Sequence, residues 1–87
     1  MEQKKLYIWM LAQFLYNNNS KMSGKELAEH LNRNNFLTSY ATEYQGGRGV
    51  YKLIKETWTW LDSINLPEEA KKVAIVYVKE DGTYAYD

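Results

Sequence analysis

The chain has 87 residues, of which 45% are apolar and 15% aromatic, and its 11 basic and 11 acidic side chains give a formal net charge of zero. This length supports one domain over residues 1–87, and the aromatic content argues against disorder. The absence of cysteine excludes disulfides and thiolate metal sites, and no apolar run is long enough to span a bilayer, so we expect a cytoplasmic protein without membrane association.

The first predicted element is a helix over Gln3–Tyr16, a segment without glycine or proline. At 100° per residue, Trp9 falls in the middle of the polar stripe of this helix, with Gln13 and Tyr16 on the same stripe. A tryptophan in that position indicates a contact surface for a second copy of the chain or for another protein. The alternative is that the C-terminal segment folds over the helix and covers Trp9, since small domains seldom leave tryptophan exposed.

The second predicted helix covers Met22–Asn32. Ser23 stands at the N-cap position, and Glu26 three residues later completes a capping box. Met22 and Leu27 have the spacing of a hydrophobic staple across this cap.

The middle of the chain is predicted to be irregular, with Phe36–Tyr40 as one candidate short strand. The glycine-rich segment Gly46–Gly49 is unsuited to a helix throughout. The longest helix follows over Val50–Asn65. Its predicted buried face consists of Val50, Leu53, Ile54, Thr57, Leu61 and Ile64.

The tail allows two interpretations. Pro67 suits the first position of a helix, and Glu68 and Glu69 suit its first turn, which favours a helix from 67 to about 76 that leads into a hairpin around Asp81–Gly82. The strand-forming run that begins at Val73 leaves open a hairpin that starts there instead.

No pattern indicates catalysis. His30 is the only histidine, and we expect it to be a solvated side chain on the second helix. The carboxylate pairs Glu68–Glu69 and Glu80–Asp81 have structural roles in a helix start and a turn. Gly46–Gly49 lacks the Lys-Ser/Thr of a phosphate-binding loop. We therefore expect a non-enzymatic protein with no catalytic residues, cofactor or metal.

The outer face of the long helix carries a basic stripe that is typical of a recognition helix, which is apolar inside and basic outside. Residues 1–61 hold eight basic and five acidic side chains, so this part of the chain suits a polyanion better than the acidic tail does. The predicted nucleic-acid-binding residues are Lys25, Tyr44, Gln45, Arg48, Lys52, Lys55 and Thr59. The alternative is an ordinary solvated face of a core helix.

The run Glu26–Asn32, followed by Thr38, Tyr44 and then Val50–Ile54, resembles the helix-turn-helix pattern in the DNA-binding segments of large serine recombinases. The resemblance covers about residues 23–55. It implies a short helix, a connecting stretch and a recognition helix that contacts DNA.

The whole chain also resembles small proteins of Gram-positive bacteria with a "GGRG.Y.LI" core, a resemblance that implies no established activity. Three helices followed by a hairpin are similar to a winged-helix domain, with residues 77–86 as the wing. The connection from Asn32 to Arg48 is longer than the turn of simple helix-turn-helix units, and Ala41 stands where the recombinase pattern has glycine. The predicted fold class is therefore mainly α with a small β element (α+β), a three- to four-helix winged-helix-like domain with a short C-terminal hairpin.

Two functions follow from these patterns. The first is a small DNA-binding or regulatory protein that contacts double-stranded DNA and gains affinity as a homodimer, for instance through Trp9 and Tyr16. The second is a protein–protein interaction module of the same fold that binds no nucleic acid. It would use the Trp9 face, with Gln13 and Tyr16, or the tyrosine-rich tail.

Overall fold

The computed structural model describes residues 3–38, 40–45, 48–79 and 83, without the side chain of Arg48. Over these residues the chain is mainly helical with one small sheet, which confirms the mainly α prediction with a minor β element. In chain order the elements are α1 (Gln3–Asn17), β1 (Met22–Ser23), α2 (Gly24–Arg33), α3 (Arg48–Ser63), α4 (Pro67–Val76) and β2 (Tyr77–Val78).

The start of α2 is built by the predicted capping box. The backbone N–H of Glu26 donates to the Ser23 hydroxyl over 3.1 Å, and the Glu26 carboxylate accepts the backbone N–H of Ser23 over 3.2 Å. These bonds satisfy amide groups that the helix itself leaves unpaired. The helix begins at Gly24, two residues after the predicted Met22, because Met22 and Ser23 are extended and form β1.

The sheet joins distant parts of the chain. β1 and β2 pair in parallel, with Met22 opposite Tyr77 and Ser23 opposite Val78. A parallel partner after α4 was absent from the sequence prediction, which assigned residues 77–86 to a wing. At the predicted turn, the N–H of Lys79 donates to the carbonyl of Thr83 over 2.7 Å. Residues 80–82 and 84–87 of the predicted hairpin lie outside the described residues.

The tail begins with a helix, as the favoured interpretation predicted. The alternative prediction of a hairpin that starts at Val73 is wrong. Pro67 occupies the first turn together with Glu68 and Glu69, where its missing N–H costs no hydrogen bond. Val73 and Val76 are buried on the inner side of α4, so their burial is achieved in a helix and needs no strand.

The candidate strand at Phe36–Tyr40 is not formed in the described residues. The Thr38 hydroxyl accepts the backbone N–H groups of Tyr40 and Thr42, and the Thr38 N–H donates to the Thr42 carbonyl over 2.8 Å. Ala41 has a left-handed φ of 61°. Local side-chain hydrogen bonds thus close a tight loop in place of an extended segment.

α3 lies at the centre of the molecule and packs against the other three helices. Its buried residues are Val50, Leu53, Ile54, Thr57 and Leu61. The Thr57 hydroxyl is satisfied by the Leu53 carbonyl at 2.8 Å. Ile64 was predicted to be buried but is 46% exposed, because α3 ends at Ser63 and Asn65 leaves with a left-handed φ of 67°.

The side chain of Tyr77 closes the core from the C-terminal side. It is fully buried, and its hydroxyl donates to the Ile8 carbonyl of α1 over 2.7 Å. Burial raises the pKa of Tyr77 well above its usual value, since the phenolate would be desolvated. In the part of the chain that is described, no helix has the length and hydropathy needed to cross a membrane.

Candidate nucleic-acid interface

The outer face of α3 presents polar side chains to solvent, directly opposite the buried face of the same helix. Lys52, Lys55 and Thr59 are all exposed, and we call these three residues the α3 outer face. Neither lysine forms an ion pair with a described residue. Glu56 is exposed on the same side of α3, four residues after Lys52, so this side of the helix carries two ammonium groups and one carboxylate. Ammonium groups are suited to binding phosphates.

α2 and α3 are in close contact near a third exposed cation, Lys25. A Cβ atom placed on Gly24 would lie 2.7 Å from Cε1 of Tyr51, so a larger residue at position 24 would force the Tyr51 ring to move. Lys25 follows Gly24 directly and is exposed, while Lys55 lies one turn beyond Tyr51 on α3. Exposed Lys25 and exposed Lys55 therefore each lie near, along their own helix, a residue of this helix–helix contact.

Tyr44 has a different place from the one predicted. Its ring is buried in the core, and its backbone is clamped by Asn32, whose amide donates to the Tyr44 carbonyl over 2.9 Å. The Asn32 side-chain oxygen also accepts the Tyr44 N–H over 2.8 Å. Tyr44 is 9% exposed and therefore offers little surface to base edges, whereas the following Gln45 is exposed. Arg48 starts α3, and its side chain lies outside the described residues.

A groove of about 960 Å³ runs beside the α3 outer face. Its walls are formed by the N-terminal part of α1, by residues between 36 and 38 and between 40 and 45, and by the first half of α3. Its lining includes Lys4, Phe36, Tyr40, Glu43, Lys52 and Glu56. Sequence reasoning missed Tyr40, which is 88% exposed, because a tyrosine within a candidate strand gives no sign that it will stand at the tip of a loop.

Two of the three residues predicted for a partner interface on α1, Trp9 and Gln13, meet α4 instead of open solvent. The indole N–H of Trp9 and the side-chain amide of Gln13 both donate to Oε1 of Glu69 over 2.9 Å. Lys72 pairs with the other oxygen of Glu69 at 3.0 Å. We call Trp9, Gln13, Glu69 and Lys72 the α1–α4 seam.

These donors stabilise the carboxylate of Glu69. The hydrogen bonds from Gln13 and Trp9, followed by the contact with Lys72, lower the pKa of Glu69 to about 2. Trp9 is also half-buried and packs edge-on against Trp60, with ring centroids 6.1 Å apart. The C-terminal segment thus covers Trp9, as the alternative interpretation of this tryptophan predicted.

Other aromatic and apolar side chains of α1 remain on the surface. Tyr16 is exposed, with the Lys72 ammonium 5.2 Å from its ring centroid. Met10 and Phe14 are 66% and 62% exposed and lie four residues apart on one face. Sequence reasoning did not single out Met10 and Phe14. The signal that could have found them is that apolar residues surround most of α1. The apolar surface of the helix is therefore wider than the face that can pack in the core.

His30 is half-buried rather than solvated, with Nδ1 3.4 Å from the Tyr7 hydroxyl. Within the described ranges, no group of three or more His, Cys, Asp or Glu side chains is arranged to hold a metal ion. Comparison with known proteins finds no protein-family model, no curated protein and no solved structure that matches this chain.

Proposed function

We propose that this chain is a small, non-enzymatic DNA-binding or regulatory protein of helix-turn-helix type that contacts double-stranded DNA with α2 and the outer face of α3. The observation that supports the proposal is the Gly24–Tyr51 contact, which packs α2 against α3 next to exposed Lys25 and one turn before exposed Lys55, while the opposite face of α3 is in the core. The resemblance of residues 23–55 to recombinase DNA-binding segments agrees with this use of the two helices.

Each side chain has a role that its chemistry suits. The ammonium groups of Lys25, Lys52 and Lys55 bind backbone phosphates, which fix the orientation of the protein on the duplex. Gln45 and Thr59 supply hydrogen bonds to base edges or phosphates. Arg48 adds a guanidinium that is suited to phosphate or guanine.

The charge of the chain sets the strength of binding. Contacts to three or four phosphates give a log–log dependence of the affinity on salt with a slope of about −3, which corresponds to weak binding by one copy. A net charge of zero adds no long-range attraction. Useful affinity at physiological salt therefore needs two copies on one duplex.

The test is a fluorescence anisotropy titration of a labelled duplex at low salt. We expect binding at micromolar protein concentration, and we expect the combined Lys52→Ala and Lys55→Ala variant to reduce the salt slope by about 2. Lys71→Ala is the control, because Lys71 is an exposed lysine on α4 and its loss changes the charge without touching α2 or α3.

Two results count against the proposal. One is the absence of binding by the wild type at tens of micromolar protein. The other is an equal loss of affinity per lysine in the Lys71 control and in the α3 variant, since that result would reflect net charge and no defined surface.

A second candidate function is protein contact through α1, which the exposure of Met10 and Phe14 favours. An exposed apolar pair on one helix face is typical of an interface between chains. If two copies meet there, Phe14→Ser lowers the average mass measured by sedimentation equilibrium at high protein concentration. Ile64→Ser, at an exposed apolar residue beyond the end of α3, leaves that mass unchanged. A wild type that stays monomeric contradicts this candidate.

A further inference from the structure

Hydrogen bonds among Thr38, Ala41 and Thr42 form a loop around Tyr40, whose side chain is in the solvent. The hydroxyls of Thr38 and Thr42 are 2.8 Å apart, and the backbone N–H of Ala41 donates to the Thr38 carbonyl over 2.9 Å. With the bonds from Tyr40 and Thr42 to the Thr38 hydroxyl, the loop is closed on itself. Tyr40 stands at its tip, and the residue is 88% exposed.

This loop faces α3 across the groove that Tyr40 and Lys52 both line. Phe36 and Leu53 contribute apolar surface to the same groove. Its volume of about 960 Å³ lies at the upper end of the range of small-molecule sites, and the groove is open to solvent on one side. The exposed ring of Tyr40 thus stands beside the helix that we propose to contact DNA.

The charged groups in the groove suit a nucleotide better than a simple anion. Lys52 and Lys4 supply ammonium groups for phosphates, and Lys4 is held with its Nζ 5.5 Å from the ring centroid of Tyr44. Glu43 and Glu56 line the groove as well and would repel a phosphate placed between them. Carboxylates accept hydrogen bonds from the exocyclic amino groups of bases, so the groove combines phosphate ligands at some positions with base ligands at others.

We infer that this groove takes one unpaired base of a nucleic acid, stacked on Tyr40, with the adjoining phosphates at Lys52 and Lys4. The inference rests on the proposed function and adds a preference for sites where a base is free of its pair. An unpaired base reaches the groove without the cost of opening a base pair, and aromatic rings stack on every base because all bases have a π-face.

The experiment compares two labelled duplexes that differ by a single bulged base. We expect the wild type to bind the bulged duplex about tenfold more tightly than the fully paired one, in the range that one stacked base contributes. Tyr40→Ala removes this preference and Tyr40→Phe retains it, because the ring and not the hydroxyl stacks on the base. Leu37→Ala is the control, since Leu37 is an exposed neighbour outside the groove lining.

Three results overturn the inference and leave the proposed function in place. They are equal affinities for the two duplexes, a bulge preference that survives Tyr40→Ala, and a free nucleoside monophosphate that binds the groove as tightly as the bulged duplex. The last result would identify a small-molecule site. The failure of both duplexes to bind is distinguishable from these results, because it overturns the proposed function as well.

Discussion

The α1–α4 seam and the α3 outer face differ in what their polar side chains contact. In the seam, the carboxylate of Glu69 receives three donors from two helices, so its charge helps to hold the fold. On the α3 outer face, Lys52 and Lys55 contact no described charged group and contribute little to the fold. The charge of Glu69 therefore stabilises the fold, whereas the charges of Lys52 and Lys55 remain available to a ligand.

The largest expected effect lies at the core end of the α1–α4 packing, where Tyr77 joins α1. Tyr77→Ala removes a fully buried ring and should lower the free energy of unfolding by about 3 to 5 kcal/mol, measured by urea denaturation. Tyr77→Phe keeps the ring and loses only the bond to Ile8, so we expect a loss of about 1 kcal/mol. Equal losses in the two variants would contradict the packing described for this ring.

A smaller effect is expected in the seam itself. Glu69→Gln preserves the shape of the side chain but removes the charge that Trp9, Gln13 and Lys72 stabilise, so the free energy of unfolding at neutral pH should fall by about 1 to 2 kcal/mol. Glu68→Gln, at the exposed neighbour, makes the same charge change and should have little effect.

The pH dependence of the stability difference between the wild type and Glu69→Gln gives a second measurement. The pKa of Glu69 is lowered from 4.5 to about 2, so its stabilising contribution is complete above pH 4.5 and is lost as the pH falls through 2. The stability difference between wild type and Glu69→Gln should therefore shrink over this interval. A difference that stays constant from neutral pH down to pH 2 would show that the charge of Glu69 is not what the seam uses.

The smallest effect on stability is expected at the α3 outer face. Lys52→Ala with Lys55→Ala should change the free energy of unfolding by less than about 0.5 kcal/mol, because both side chains are exposed and unpaired with described residues. Thermal unfolding of the same protein sample that is used for the DNA titration checks this. A clear destabilisation would mean that these lysines serve the fold after all, and the contrast with the seam would disappear.

Local signals in the sequence predicted the helices well. Ser23 and Glu26 predicted where α2 starts, and Pro67 with two acidic residues predicted α4, because caps and first-turn preferences act over a few residues. The predicted outward position of Lys52 and Lys55 followed from helical periodicity, and the structure confirms that both are exposed.

Contacts between distant residues were not predictable in the same way. Nothing near Met22 indicates that it will pair with Tyr77, and nothing near Tyr44 indicates that Asn32 will clamp its backbone and turn its ring inward. The loop at Thr38 replaced a predicted strand because hydroxyl bonds to nearby backbone outweighed β propensity. Tyr40, the residue on which the inferred base site depends, was missed for that reason.

The parallel pairing of β1 with β2 has a consequence for the order in which the molecule folds. Met22 and Ser23 lie immediately before α2, yet their partners Tyr77 and Val78 follow α4. Their pairing closes a loop that contains α2, α3 and α4, and the entropy of closing that loop opposes the pairing until the helices have packed, so we expect the sheet to form late in folding. Until then, the capping box of Ser23 and Glu26 is what holds the start of α2.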